Sequence, residues 1–206
     1  MPKVSDAHRG ARRRQIIDAA VACFAREGFH RTSMLDIIKE SHLSAGAIYR
    51  YFAGKDAIVE AIAEERHAQE AAMLAQAIAA DDLASGMRLL AHAYFDWLRD
   101  PRERRRRRIT VQVWAEALRS KEVARIVRRG VAQRTPATNA FRSAQRRGQL
   151  AKSLDPDALS RFMLAVIQGF ILQQAWDPTV DVDSFVAVVD RVVEGLLAKA
   201  PRAANR

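Results

Sequence analysis

The chain holds one cysteine, Cys23, among 206 residues. One thiol cannot build an intramolecular disulfide framework, and it fits a reducing cytoplasm. Long apolar runs are missing as well. The best stretch, Phe162–Leu172, is too short and too often interrupted by polar residues to span a bilayer, so no membrane partner is expected. Met1–Gly10 is polar and leads straight into an arginine-rich segment, which argues against a signal peptide. Alternating β-branched runs are absent, and glycine and proline fall mainly as punctuation. The histidines (His8, His30, His42, His67 and His92) show no metal-ligand spacing with carboxylates or the cysteine. No glycine-rich phosphate loop, nucleophile elbow or carboxylate pair stands out. The expectation is therefore no catalytic residues, no metal and no cofactor, in a protein that is not an enzyme.

What the chain has is positive charge and helical periodicity. The net charge of +10 suits a polyanionic partner. It is unevenly spread: residues 1–60 carry +3, residues 61–100 carry −4, residues 101–150 carry +12 and residues 151–206 carry −1. The excess lies mid-chain, around "RERRRRR" (Arg102–Arg108), so net charge alone does not locate a nucleic-acid site. That run reads as a solvated face. The sharper alternative pairs its arginines with Glu64, Glu65 and Glu70.

Apolar residues at three- and four-residue spacing predict an all-α chain. The first helix runs from about Arg9 to Glu27, with Ile16, Ala20, Cys23 and Phe24 on its inner stripe and Gly28 at its end. Thr32 or Ser33 caps a short second helix through Glu40, which buries Leu35 and Ile38 or their neighbours. Ser41-His42-Leu43 is a turn, Ser44 caps a third helix, and Ala53-Gly54 ends it. Further helices follow at about Lys55–Ala79, Asp82–Arg99, Arg102–Arg119, Lys121–Gly148 (with a possible break at Pro136), Asp155–Trp176 and Asp183–Lys199.

Two short helices across a tight turn, packed on a preceding helix, make a helix-turn-helix, here spanning about 33–52. At 100° per residue, Ile48 and Phe52 share the inward side of the third helix and Arg50 lies nearly opposite. Gly46 and Ala47 lie near Arg50, while Tyr49 and Tyr51 fall on the flanks. Taken singly, each of these residues has an ordinary packing role. Together they outline a helix laid in a major groove, arginine toward base edges and tyrosines toward phosphates, with Ser44 near a further phosphate.

The stretch "GFHRTSMLDIIKESHLSAGAIYRYFAGKDAIVEAI" (Gly28–Ile62) resembles the DNA-binding segment of the TetR family of bacterial transcriptional regulators. The matching positions are Gly28-Phe29, Thr32-Ser33, Ile37, Ser44, Gly46, Ile48, Tyr49, Tyr51, Phe52 and Lys55. Ile38 stands where the family has a small residue, and Ser41-His42 replaces its Ala-Gly turn. Histidine is among the better substitutes for glycine where a turn needs positive φ. The resemblance implies that Thr32, Ser33, Tyr49, Tyr51 and Lys55 bind phosphates, and that Ala45, Gly46, Ala47 and Arg50 face base edges. It also implies a DNA-binding domain at 1–54 and a helical effector-binding and dimerisation domain at 55–206.

The expected function is a dimeric, sequence-specific repressor, bound to a palindromic double-stranded DNA operator and released by a small-molecule effector. The alternatives are an architectural DNA-binding protein and a helical ligand-binding protein with no operator. In the family the last two long helices dimerise, which points to Phe170, Phe185, Val189, Val192 and Leu196 as a homodimer interface. Aromatic and amide residues on the middle helices, Tyr94, Trp97, Trp114, Phe141 and Gln168, are the effector-pocket candidates.

Overall fold

The computed structural model describes residues 6–197. Ten helices follow one another: α1 (Asp6–Glu27), α2 (Met34–Ser41), α3 (Ala45–Tyr49), α4 (Lys55–Ile78), α5 (Leu83–Arg99), α6 (Pro101–Glu116), α7 (Lys121–Ala132), α8 (Thr135–Arg146), α9 (Pro156–Trp176) and α10 (Val182–Leu197). The chain is all-α, with no strand among the described residues. The helical segment from Lys121 divides into α7 and α8 just before Pro136, where a break was expected. Pro136 offers no N–H to the carbonyl four residues back, and its ring crowds that carbonyl. The sixth helix ends at Glu116 rather than Arg119, closing in a turn with Leu118 N–H on Ala115 O and Arg119 N–H on Glu116 O. The expected end of the last helix near Lys199 lies outside the described residues.

One compact unit takes the chain up to Arg66 together with Arg105–Arg128. It is thus larger than the segment 1–54 that carries the motif. Its core joins Ile16, Ala20, Cys23 and Phe24 of α1 to Ile37, Ile48, Phe52 and Ile58, with Ile109 and Ile126 from later in the chain. Gly28 ends α1 at φ +85°, a left-handed conformation that favours glycine. Burial raises the pKa of the Cys23 thiol, with Glu40 adding to it, so this cysteine is a small apolar core residue. On α2, Ile37 is fully buried and Ile38 half-buried, but Leu35, expected inside, is 66% exposed. The inner face of this eight-residue helix runs through Ile37 and Ser41, one turn apart, and Leu35 lies on the other side. Glu65 accepts ion pairs from Arg13 at 3.3 Å and Arg106 at 3.5 Å. Arg106 of the basic run is therefore paired with α4, while Arg102, Arg105 and Arg108 are exposed.

The second unit comprises His67–Arg104 and the residues from Arg129 on. Its centre is a ring cluster: Phe170 of α9 meets Phe95 of α5 edge-on at 4.9 Å and Phe185 of α10 at 4.6 Å. Asp155 caps α9, its Oδ1 accepting from Ala158 N–H at 2.6 Å, with Pro156 in the first turn. This arrangement turns three residues of the expected interface inward. Phe170 is 0% exposed and Val189 7%, and Phe185 is half-buried in the ring cluster, so these side chains are spent on their own unit. The large exposed apolar residues of the last two helices are Phe162, Trp176, Val188 and Val192, with Leu196 half-buried. Among the described residues no helix is long and apolar enough to cross a membrane.

Gly86 lets α5 begin against the end of α4: a Cβ there would stand 2.4 Å from the Ala77 carbonyl oxygen. Helix propensity alone favours alanine over glycine by about 1 kcal/mol. The backbone clash reverses that sign, so Gly86→Ala should destabilise the protein by about 1–3 kcal/mol in urea unfolding. A stabilised variant would show that the α4–α5 corner is looser than drawn.

Candidate nucleic-acid interface and effector cavity

The α1–α2 connection positions the motif, and its backbone groups are claimed one by one. Phe29 N–H donates to Gln112 Oε1 at 2.7 Å. The Phe29 and Thr32 carbonyls accept from Lys55 Nζ at 2.7 and 3.0 Å, and that ammonium also sits 4.4 Å from the Phe29 ring centroid. Thr32 Oγ1 donates to Gly28 O at 2.8 Å. Ser33 and Asp36 form a reciprocal capping box at the start of α2. The Ser33 hydroxyl, followed by its backbone N–H, holds the Asp36 carboxyl below the usual carboxylate range. A lowered carboxylate pKa means that the box contributes above the ordinary range and is lost as pH falls through the lowered value.

The turn between α2 and α3 contains His42 at φ 55° and ψ 30°, with its N–H on Lys39 O. This is the left-handed position that glycine would otherwise fill. Gln15 of α1 donates to Ser41 O at 2.7 Å and ties down the end of α2. Ser44 then caps α3, its Oγ accepting from Ala47 N–H at 3.3 Å. Ile48 and Phe52 are buried, and they fix which side of this short helix faces out. On that side Ser44, Ala45, Gly46, Tyr49 and Arg50 are exposed, and Ala47 and Tyr51 are half-buried. A Cβ at Gly46 would meet nothing within 4 Å. The Arg50 guanidinium lies 5.5 Å from the Tyr51 ring centroid, a cation–π contact that limits where the arginine can swing.

Not every residue expected to touch DNA is free to do so. Thr32 is 1% exposed and its hydroxyl is turned inward, so it is withdrawn from the phosphate contacts. Its task is to close the turn. Lys55 spends two of its three N–H donors on carbonyls, and the Ser33 hydroxyl is engaged with Asp36 at 2.6 Å. Sequence reasoning missed Gln112, Gln15 and Arg13. They carry no motif, and their partners lie 26 to 83 residues away, beyond the reach of spacing arguments.

The second unit holds a cavity of about 160 Å³ that is partly open to solvent. Tyr94 and Phe141, both expected at an effector pocket, line it together with Leu74, Met87, Phe95 and Ile167. Its polar wall is Glu70, Gln133, Arg134 and Ser160. Glu70 accepts the Tyr94 hydroxyl at 3.1 Å. Trp97 is not in the lining but stacks edge-on against Tyr94 at 5.5 Å. Gln168 is not in it either, and Trp114 belongs to the unit of the helix-turn-helix.

The family models agree with this architecture. Residues 16–62 match that of bacterial regulatory proteins of the tetR family. Residues 84–198 match that of the C-terminal part of BetI-type transcriptional repressors. An HTH-type transcriptional repressor of Mycobacterium tuberculosis is 31% identical over 198 residues, covering 93% of this chain and 96% of that protein. The HTH-type transcriptional repressor AcnR of Corynebacterium diphtheriae is 29% identical over 98% of this chain and all of its own. Among solved structures, Salmonella enterica GusR superposes with a TM-score of 0.78 at 26% identity, covering 96% of this chain and all of that one. A complex of SmeT with triclosan shares the fold, with a TM-score of 0.75 at 21% identity over 95% of this chain and all of that one. The chain belongs to the TetR family, and it is a DNA-binding transcriptional regulator of the helix-turn-helix type.

The internal bonds of Lys55 set a test. Lys55→Met leaves the Phe29 and Thr32 carbonyls without their donor and should cost about 1–3 kcal/mol of stability in the absence of DNA. The log–log salt dependence of DNA binding should barely move. A variant of unchanged stability whose slope is flatter by about 0.9 per subunit would make Lys55 a phosphate contact instead.

Proposed function

We propose that the protein is a dimeric repressor that reads a palindromic operator with α3 and lets go when a small molecule fills the cavity of its second unit. The observation that carries this reading is the outward stripe of α3. Ala45 and Gly46 leave the backbone free to approach the groove floor, and Arg50 is the one long donor of that short helix. Small residues cannot make bidentate bonds to purines, but they admit close approach and methyl contacts to thymine. Arg50 suits guanine O6 and N7. The hydroxyls of Tyr49, Tyr51 and Ser44 serve as phosphate contacts on the groove walls. Five residues of helix carry little dipole, so Ser44 acts through its hydroxyl rather than through the helix end.

Two recognition helices are needed because one reads too few bases, and a twofold dimer presents them to two half-sites. The exposed apolar residues Phe162 and Trp176 on α9 and Val188 and Val192 on α10 serve as its interface. They leave too much apolar surface in water for a monomer's last two helices. The relatives named as repressors support the sign of regulation. For release, α4 is continuous from Ile58 and Val59 in the core of the first unit to Glu70, Ala71 and Leu74 at the cavity wall. A ligand that shifts α4 at the wall acts on the same helix that supplies Ile58 and Val59 to the core around α3.

Two experiments divide this reading. Binding-site selection with Arg50→Ala should erase one guanine preference per half-site, at about 1–3 kcal/mol per contact, and leave the other positions recognisable. An unchanged motif would mean that the outward stripe is not the reading face. Val188→Asp or Phe162→Glu should yield folded monomers by sedimentation that no longer hold the operator. A dimer that survives both substitutions would place the interface elsewhere.

A further inference from the structure

The cavity wall carries an unbalanced polar set. Arg134 sits in the turn between α7 and α8, and its Nη1 donates to Val131 O at 3.0 Å. Its Nε is buried and has no hydrogen-bond partner among the described residues. Ser160 of α9 is 3% exposed, and its Oγ is likewise buried and unpartnered. Both residues line the same cavity. Glu70, the acid on that wall, already accepts the Tyr94 hydroxyl. Buried donors without acceptors are costly, and Arg134 Nε and Ser160 Oγ are both of that kind.

We propose that the cavity is a site for an apolar monocarboxylate, whose carboxylate accepts from Arg134 Nε–H and the Ser160 hydroxyl while its apolar body lies against Met87, Tyr94 and Phe141. The proposal rests on the reading of this cavity as the effector site. A carboxylate supplies what the two donors lack: charge opposite to the guanidinium and enough lone pairs for both. A cationic ligand would be repelled by Arg134, and the Tyr94 hydroxyl offsets part of the Glu70 charge that a carboxylate meets on the same wall. A cavity of about 150 Å³ accommodates a benzene ring, so one ring fits inside, and because the cavity is partly open to solvent a short arm can extend from it.

The test is calorimetric titration of the full-length protein with 4-phenylbutanoate and its neutral counterparts 4-phenylbutanamide and 4-phenylbutanol. Wild type should bind the carboxylate roughly ten- to a hundredfold more tightly than either neutral compound. Arg134→Met should erase that preference while keeping the weak affinity for the alcohol. Arg134→Lys, which keeps the charge but not the planar fork, should retain part of it. Ser160→Ala should weaken the carboxylate several-fold and leave thermal stability equal or higher, because it removes an unpartnered buried hydroxyl. Equal affinity for all three compounds, a carboxylate preference that survives Arg134→Met, or no binding of any compound would overturn the proposal. Operator release is measured separately. An Arg134-dependent carboxylate that leaves DNA bound supports the anion site and removes its role as effector site.

Discussion

A five-residue helix does not hold itself together in water. Closing the first turn fixes several dihedrals for one hydrogen bond, and isolated helices shorter than about 12 residues are marginal. The pose of α3 (Ala45–Tyr49) therefore depends on the burial of Ile48 and, just beyond the helix, Phe52. Both enter a core built by α1, α2 and α4. Everything ascribed to Gly46 and Arg50 follows from that anchoring, because the inward pair decides which side faces out. The cation–π contact between Arg50 and Tyr51 refines the direction of the one long donor, but the anchor sets it.

The same logic explains the density of side-chain bonds around the α1–α2 connection. A loop beneath a binding surface leaves backbone groups that water would otherwise claim. Here the Lys55 ammonium and the Gln112 amide take three of them, and Gln15 takes the Ser41 carbonyl at the far end of α2. Gln112 stands on α6, and His30 and Glu116 meet at 2.7 Å beside it. The sixth helix is thus part of the frame of the motif within the same compact unit.

Much of the outward face of α3 was legible because it is local. The inward Ile48 and Phe52, the outward Arg50, the open Gly46 and the left-handed His42 all follow from the geometry of one turn and one short helix. The expected phosphate contacts were less legible. Thr32 and Lys55 stand at motif positions, but a hydroxyl and an ammonium are as able to bind a carbonyl as a phosphate, and only the folded loop decides between them. The last helices failed differently. Periodicity marks Phe170, Val188, Val189 and Val192 alike as apolar, yet Val188 and Val189 are neighbours facing 100° apart. Which of them meets its own unit depends on the aromatic cluster of Phe95, Phe170 and Phe185. Arg134 and Ser160 gave no signal at all, since a lone arginine and a lone serine become notable only when their donors are found buried without acceptors.

The central claim is that two copies of α3, each held by Ile48, enter two major grooves on one face of the DNA. Hydroxyl-radical footprinting of the full-length protein on its operator tests it most directly. The account predicts two protected segments related by a dyad, about one helical turn or a small multiple apart, with each half-site shielded on both walls of its groove. Protection that spreads with protein concentration and shows no dyad would contradict it. DNA would then be held by the positive charge of residues 101–150 rather than by α3.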